Sequence, residues 1–279
     1  MVSDMVINLQ GPLVLVGAGK MGSAMLAGWL DKGLAPKDIF VRDPSPAPDV
    51  AKLIADKGIG LNASVSALAA RRPAVVVLAV KPQLMGAVLP ELAELVSPDT
   101  LFISIAAGTS LFGLKELLGE DVRVVRAMPN TPASVGRGMT VCFANPLVSA
   151  SQRNLADALL QAVGDVGWVD SEPLIDAVTA ISGSGPAYVF YLAECMAAAG
   201  EALGLTHELS MQLARATVSG AGEMLHQLPD DAATLRKNVT SPGGTTAAAL
   251  DVLMGEGGLS PLMRRAAAAA RDRARELGK

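Results

Sequence analysis

Two short stretches of this 279-residue chain carry residue types that can do chemistry on small molecules. The first, residues 13–22, reads LVLVGAGKMG and holds Gly17-x-Gly19-x-x-Gly22. At that spacing Gly17 permits a tight turn, Gly19 leaves room for a pyrophosphate, and Gly22 lets a helix approach the preceding strand. A helix opening there aims free N–H groups at phosphate oxygens. The pattern predicts a dinucleotide cradle, with a ligand-free strand–helix turn as the plainer alternative. The second stretch, NVTSPGGTT at 238–246, has five hydroxyl or amide side chains and no His, Cys or carboxylate. Such a set can grip an anion and aim a polar atom, but it offers no strong acid or base. Its plainer alternative is a helix cap, with Ser or Thr at the cap and Gly at the bend.

Further loops leave the ends of apolar runs, where open parallel sheets bind ligands. Arg42-Asp43-Pro44-Ser45 gives a divided signal. A carboxylate there suits the ribose diol of NAD, whereas a cation and a hydroxyl suit the 2′-phosphate of NADP. Asp43 could equally cap a turn before Pro44. Arg42 and Ser45 tilt the reading toward NADP. Lys81-Pro82 follows the run 74–80 and places a cation near cofactor phosphates or ribose, or serves only as a helix entry. Residues 106–109 and 128–132 form two more such loops, the latter with two prolines around Asn130 and Thr131.

These loops need a scaffold. Runs at 13–16, 39–42, 74–80, 101–105 and 122–127 are apolar throughout and rich in Val and Ile, the mark of strands buried on both faces. Helical stretches at 22–32, 49–57, 83–95 and 111–118 alternate with them. Two more strands, 139–143 and 166–169, bracket a helix near 151–163. The fold class expected is α/β, a doubly wound and mostly parallel sheet. After about Ser171 no strand pattern follows, and helices are expected at 188–203, 208–228, 232–239, 245–254 and 259–277. The domains are therefore expected at 1–171 and 172–279. Met211, Ala214, Val218, Ala221, Leu225 and Leu228 recur at intervals of three and four residues along one helix. That stripe fits an intramolecular seam or the interface of an intertwined dimer.

Composition narrows the function. Hydrophobic residues make up 51% of the chain and mean hydropathy is +0.39, yet no apolar run approaches the length needed to span a bilayer. The N-terminus lacks the basic and apolar regions of a secretory signal, so the cytoplasm is the expected location. Net charge is −4 with scattered cations, which argues against a nucleic-acid partner. Two cysteines and two histidines make a disulfide or a metal site improbable, and His207 and His226 read as helix-surface positions.

In order and spacing, VGAGKMG, AVKPQ, SIAAG, RAMPNTPA, SGSGPAY and TSPGGTT resemble the pyrroline-5-carboxylate reductase family over essentially residues 13–262. RAMPNTPA and TSPGGTT are the specific pieces. The resemblance implies a Rossmann-like domain followed by an all-α dimerisation domain, with dimers that often form a decameric ring. The implied reaction is reduction of Δ1-pyrroline-5-carboxylate to L-proline by NADP(H), with NAD(H) as the alternative and no metal. Carried over, Thr246 would hydrogen-bond the ring nitrogen as the catalytic residue. Ser241, Gly243, Gly244 and Thr245 would hold the carboxylate, with Asn238 contributing. Cofactor contacts would fall on Val16, Gly17, Ala18, Gly19, Lys20, Met21 and Gly22, on Arg42 and Asp43, on Ala79, Val80, Lys81 and Pro82, on Ala107 and Gly108, and on Asn130 near the nicotinamide. The active site would then form between the domains, or between subunits if the helices swap across a dimer. A β-hydroxyacid dehydrogenase would need a catalytic Lys in the helical half. There Lys237 is the sole lysine before Lys279, and no matching motif surrounds it. A cofactor-sensing regulator would leave TSPGGTT unexplained.

Overall fold

The computed structural model describes residues 7 and 9–278, so the reading of the N-terminal stretch as no secretory signal lies largely outside the described residues. The chain divides into two compact units, one running to Gly183 and including Arg271 onward, the other Ser184–Ala270. The first unit keeps the short helix that follows the expected boundary at 171–172 (α7, Leu174–Val178), which packs on strand β7 (Gly138–Ala144).

The first unit is built on an eight-stranded sheet in the order β3-β2-β1-β4-β5-β6-β7-β8. Strands β1 (Leu13–Val16), β4 (Val75–Leu78) and β5 (Leu101–Ser104) are buried at every residue. This is why their sequences are apolar throughout instead of alternating. On one side of β1 lie β2 (Ile39–Arg42) and the two-residue β3 (Gly60–Leu61), on the other β4, β5 and β6 (Arg123–Met128), all parallel. The β6–β7 pair is antiparallel, and β7 pairs in parallel with β8 (Gly164–Trp168). Only a short 3₁₀ turn, Thr131–Val135, joins β6 to β7, too little chain for a parallel crossover.

Helices α1 (Lys20–Asp31), α2 (Pro48–Lys57) and α6 (Ala150–Leu160) contribute to the core on one face of the sheet, and α3 (Val65–Ala69), α4 (Met85–Leu92) and α5 (Leu111–Leu118) to that on the other. The fully buried Trp29 of α1 donates its indole N–H to the Leu159 carbonyl of α6 at 2.8 Å, tying two distant segments together. Arg126, on β6, is almost fully buried. It pairs with Glu172 at 2.8 Å, and Glu172 also accepts the Leu111 N–H at the start of α5. One carboxylate thereby neutralises a buried cation and satisfies a helix N-terminus.

The second unit holds α8 (Gly185–Ala202), α9 (His207–Gln227), α10 (Ala232–Asn238), α11 (Thr245–Leu253) and most of α12 (Leu259–Leu277). α8 and α9 form a hairpin, and Thr206 caps α9 by accepting the Leu209 N–H. Within Ser184–Ala270 only Ala197, Ser210 and Ala214 are buried. The apolar stripe of α9 divides: Ala214 is buried and Met211 and Val218 half-buried, whereas Ala221, Leu225 and Leu228 are exposed. Its first half is an intramolecular seam. Its second half is free within a single chain.

Candidate active site

The glycine loop sits where the expected geometry requires. Gly17 has φ of +92°, and a Cβ there would lie 2.8 Å from the Ala79 carbonyl oxygen, so only glycine fits between the ends of β1 and β4. A Cβ on Gly22 would collide with the Gly17 carbonyl. A Cβ on Gly19 would meet nothing, because that position opens onto a cleft of about 580 Å³. Gly19 is also the N-cap of α1, and no side chain caps it, which leaves the helix N-terminus open toward a ligand. A bare glycine edge, an uncapped helix terminus and open space beyond them fit a dinucleotide pyrophosphate.

Of the residues expected at the cofactor, Val16, Gly17, Gly19, Arg42, Asp43, Ala79, Val80 and Lys81 line this cleft. Ala18, Lys20, Met21, Gly22 and Pro82 belong to the same loops without lining it. Ala107 and Gly108 are not among the lining residues, and a Cβ on Gly108 would lie 3.2 Å from the Leu277 carbonyl, so the last turn of α12 packs there. Asn130 also lies outside the lining, and its side chain is committed elsewhere. Its Oδ1 accepts the Met139 N–H at 2.8 Å, and its Nδ2 donates to the carbonyl and hydroxyl of Ser182 at 3.2 Å each. That amide pins the proline-rich loop to Thr179–Gly183, a single π-helical turn.

In the second-strand loop Asp43 takes the turn-capping alternative, and Arg42 is already engaged. Asp43 caps the turn, with Oδ1 accepting the Ser45 N–H at 2.9 Å. Its Oδ2 accepts the Ala18 N–H at 2.7 Å and so fixes the glycine loop. Asn62 clamps the backbone of Asp43 from both sides, accepting its N–H and donating to its carbonyl. Arg42 donates to the Ala63 carbonyl at 3.1 Å and pairs with Glu91 at 2.6 Å. Asn62, Leu84, Val88 and Glu91 line the cleft with Pro44, and all but Pro44 went unseen in the sequence. No local motif marks them: Asn62 follows a two-residue strand, and Glu91 lies on a helix face.

In the second unit, α10 ends at Asn238, and the chain turns through Val239–Gly244 into α11. Thr240 closes the α10 end, its N–H donating to the Lys237 carbonyl and its hydroxyl to that of Arg236. Gly243 has φ of +68°, and the Gly244 N–H donates to the Ser241 carbonyl at 3.0 Å. Gly244 is the N-cap of α11, and no side chain caps the helix. Ser241, Thr245 and Thr246 therefore surround an open helix N-terminus, with Ser241 and Thr245 exposed and Thr246 half-buried. A capping turn would have spent one hydroxyl on the helix, whereas here all three remain available to a ligand.

Residues 172–277 match the domain family described as pyrroline-5-carboxylate reductase dimerisation, and residues 12–108 match that described as NADP oxidoreductase, coenzyme F420-dependent. The chain is 42% identical over 265 residues to a pyrroline-5-carboxylate reductase of Pseudomonas aeruginosa, covering 95% of this chain and 96% of that one. It belongs to the pyrroline-5-carboxylate reductase family. A second family member, from Haemophilus influenzae, is 41% identical over 86% of this chain and 88% of its own. Among solved structures, the reductase of Coxiella burnetii superposes with a TM-score of 0.89 at 39% identity, over 96% of this chain and 99% of that one. That of Plasmodium falciparum, with NADP bound, gives 0.79 at 30% identity, over 97% and 99%. Family membership makes this chain a nicotinamide-dependent oxidoreductase that forms homo-oligomers through its helical domain. Among the described residues no helix is long and apolar enough to cross a membrane, and no cluster of His, Cys, Asp and Glu could hold a metal ion.

Proposed function

We propose that this chain reduces 1-pyrroline-5-carboxylate to L-proline in the cytoplasm, with NADPH as hydride donor and NADH as the alternative. The observation that carries the reading is family identity along nearly the whole chain, joined to a donor-lined stretch, 238–246, that contains no acid or base. The domains proposed are 1–171 for the cofactor and 172–279 for substrate and dimerisation, with dimers assembling to a decamer.

When bound, the nicotinamide supplies hydride to the ring carbon of the imine. The remaining task is positioning. The open N-terminus of α11 and the hydroxyls of Ser241 and Thr245 hold the substrate carboxylate, with Gly243 and Gly244 allowing close approach and Asn238 adding a donor. Thr246 orients the ring nitrogen and relays the proton that the product amine carries. A protonated cyclic imine is already electrophilic, so a hydroxyl suffices where a carbonyl substrate would call for a stronger acid. Positioning of this kind supplies about 7–11 kcal/mol of barrier lowering in favourable cases. Proton assistance adds roughly 10²–10⁴-fold.

Val16–Met21 and Gly22 would cradle the cofactor phosphates, Ala79–Pro82 its ribose and linker, and Arg42 the 2′-phosphate. Ala107 and Gly108 would border the nicotinamide end. Asn130 would act there through the loop it pins. The test is oxidation of NADPH and of NADH by the purified chain with and without pyrroline-5-carboxylate. Substrate-dependent loss of reduced cofactor supports the reading, and no loss with either cofactor overturns it.

A further inference from the structure

α4 turns Met85, Leu89 and Leu92 into the core. The neighbouring stripe, Leu84 just ahead of the helix with Val88 and Glu91 on it at spacings of four and three, lines the dinucleotide cleft. Glu91 thereby meets Arg42 at 2.6 Å, with the Arg42 side chain 19% exposed and that of Glu91 51% exposed. Arg42 is the cleft cation placed at the end of β2, where a 2′-phosphate would bind. Asp43, the neighbouring carboxylate, already spends its two oxygens on the Ala18 and Ser45 amides. Glu91 is therefore the carboxylate that faces the position a 2′-phosphate would occupy.

We infer that Glu91 sets the cofactor selectivity of this chain by competing with the 2′-phosphate for Arg42. The inference rests on the dinucleotide reading of the cleft and deepens it. A 2′-phosphate brings close to two negative charges at neutral pH. To reach Arg42 it must displace Glu91 or share the guanidinium with it, and in either case it approaches a like charge. A free ribose diol carries no charge and can donate to the Glu91 carboxylate. Glu91 thus lowers affinity for the phosphorylated cofactor while leaving the unphosphorylated one unharmed, and holds the two closer together than Arg42 alone would.

The test compares two adenosine fragments that differ only by the 2′-phosphate, 2′,5′-ADP and 5′-AMP, titrated calorimetrically into the full-length protein, Glu91→Gln, Arg42→Ala and the double variant. Glu91→Gln should bind 2′,5′-ADP about five- to tenfold more tightly, the scale of one half-exposed charge–charge term with a doubly charged ligand. Its affinity for 5′-AMP should stay within about twofold of the parent, since no phosphate–carboxylate repulsion is relieved. Measured against Arg42→Ala, the double variant should show a smaller gain, because no guanidinium is left to release and only the direct phosphate–carboxylate repulsion is relieved. An unchanged ratio of the two affinities in Glu91→Gln overturns the inference. So does weaker 2′,5′-ADP binding, which would make Glu91 a prop that holds Arg42 in place. If neither fragment nor NADPH binds any form, the dinucleotide reading itself falls, and the inference with it. Melting curves of each variant with and without NADP supply a second readout of binding and confirm that the chain is folded.

Discussion

The two units bury their apolar residues in opposite ways. In the sheet unit, β1, β4 and β5 are closed off on both faces, and the largest side chains, Trp29 and Phe102 among them, are fully buried. In the helical unit Phe190, Tyr191, Leu225, Val252 and Met254 are exposed, between 54% and 75% of their surfaces open in a single chain. A sheet layered between helices completes its own core. A helical hairpin of this size cannot, and large apolar side chains along α8 and α9 stay exposed in a single chain. The sheet unit is a finished scaffold for a ligand, and the helical unit is half of a core that a second copy completes.

The largest expected effect comes from charging that half-core. Phe190→Asp with Leu225→Asp should abolish the dimer, read by light scattering on a sizing column, and activity with it. Phe112→Asp, on the sheet unit and 72% exposed, should leave the assembly unchanged. If the first variant stayed dimeric, or the second dissociated, the contrast between the units would fail.

Stability changes in the sheet unit come next. Phe102→Ala removes a fully buried ring and should cost about 3–5 kcal/mol in denaturant unfolding. Glu172→Ala leaves Arg126, 8% exposed at its side chain, without its close partner and should cost about 3 kcal/mol. A loss under about 1 kcal/mol would mean that Asp176, 3.9 Å from the guanidinium, suffices alone.

The smallest effect is a proton. His207 at the start of α9 hydrogen-bonds Glu201 near the end of α8 at 2.8 Å, and that bond, then the carboxylate charge, raises the imidazole pKa above its ordinary 6.5. The sign follows: the contact stabilises the hairpin fully below pH 6.5, and the contribution fades as pH rises through the elevated value. An NMR titration of His207 should show a midpoint above 6.5 that falls back in Glu201→Gln. An unshifted midpoint in the parent protein would remove the contact from solution.

Much of the scaffold was legible because burial on both faces writes continuous apolar runs. The strand 13–16 matches β1 residue for residue, and the glycine loop follows it as expected. β3 was not legible, since two residues carry no period, and the antiparallel turn of β7 depends on connection length instead of composition. At the sites, backbone-driven features were readable: the Gly17 turn and the uncapped glycine entry to α11. Side chains delivered from afar were not. Asn62 reaches the cleft from the bend after an edge strand and Glu91 from a helix face, and the Asn130 side chain holds Ser182. The stripe on α9 was readable, but its division into a packed half and an open half needed α8 in place.

The proposed division of labour has the helical unit handle a substrate by aiming donors, while the sheet unit holds the cofactor independently. It is tested most directly by Thr246→Ala, measured for kcat with pyrroline-5-carboxylate and for NADPH affinity by calorimetry. The account predicts a kcat lower by roughly 10²-fold, with cofactor affinity near that of the parent. An unchanged kcat would take Thr246 out of the reaction and contradict the account.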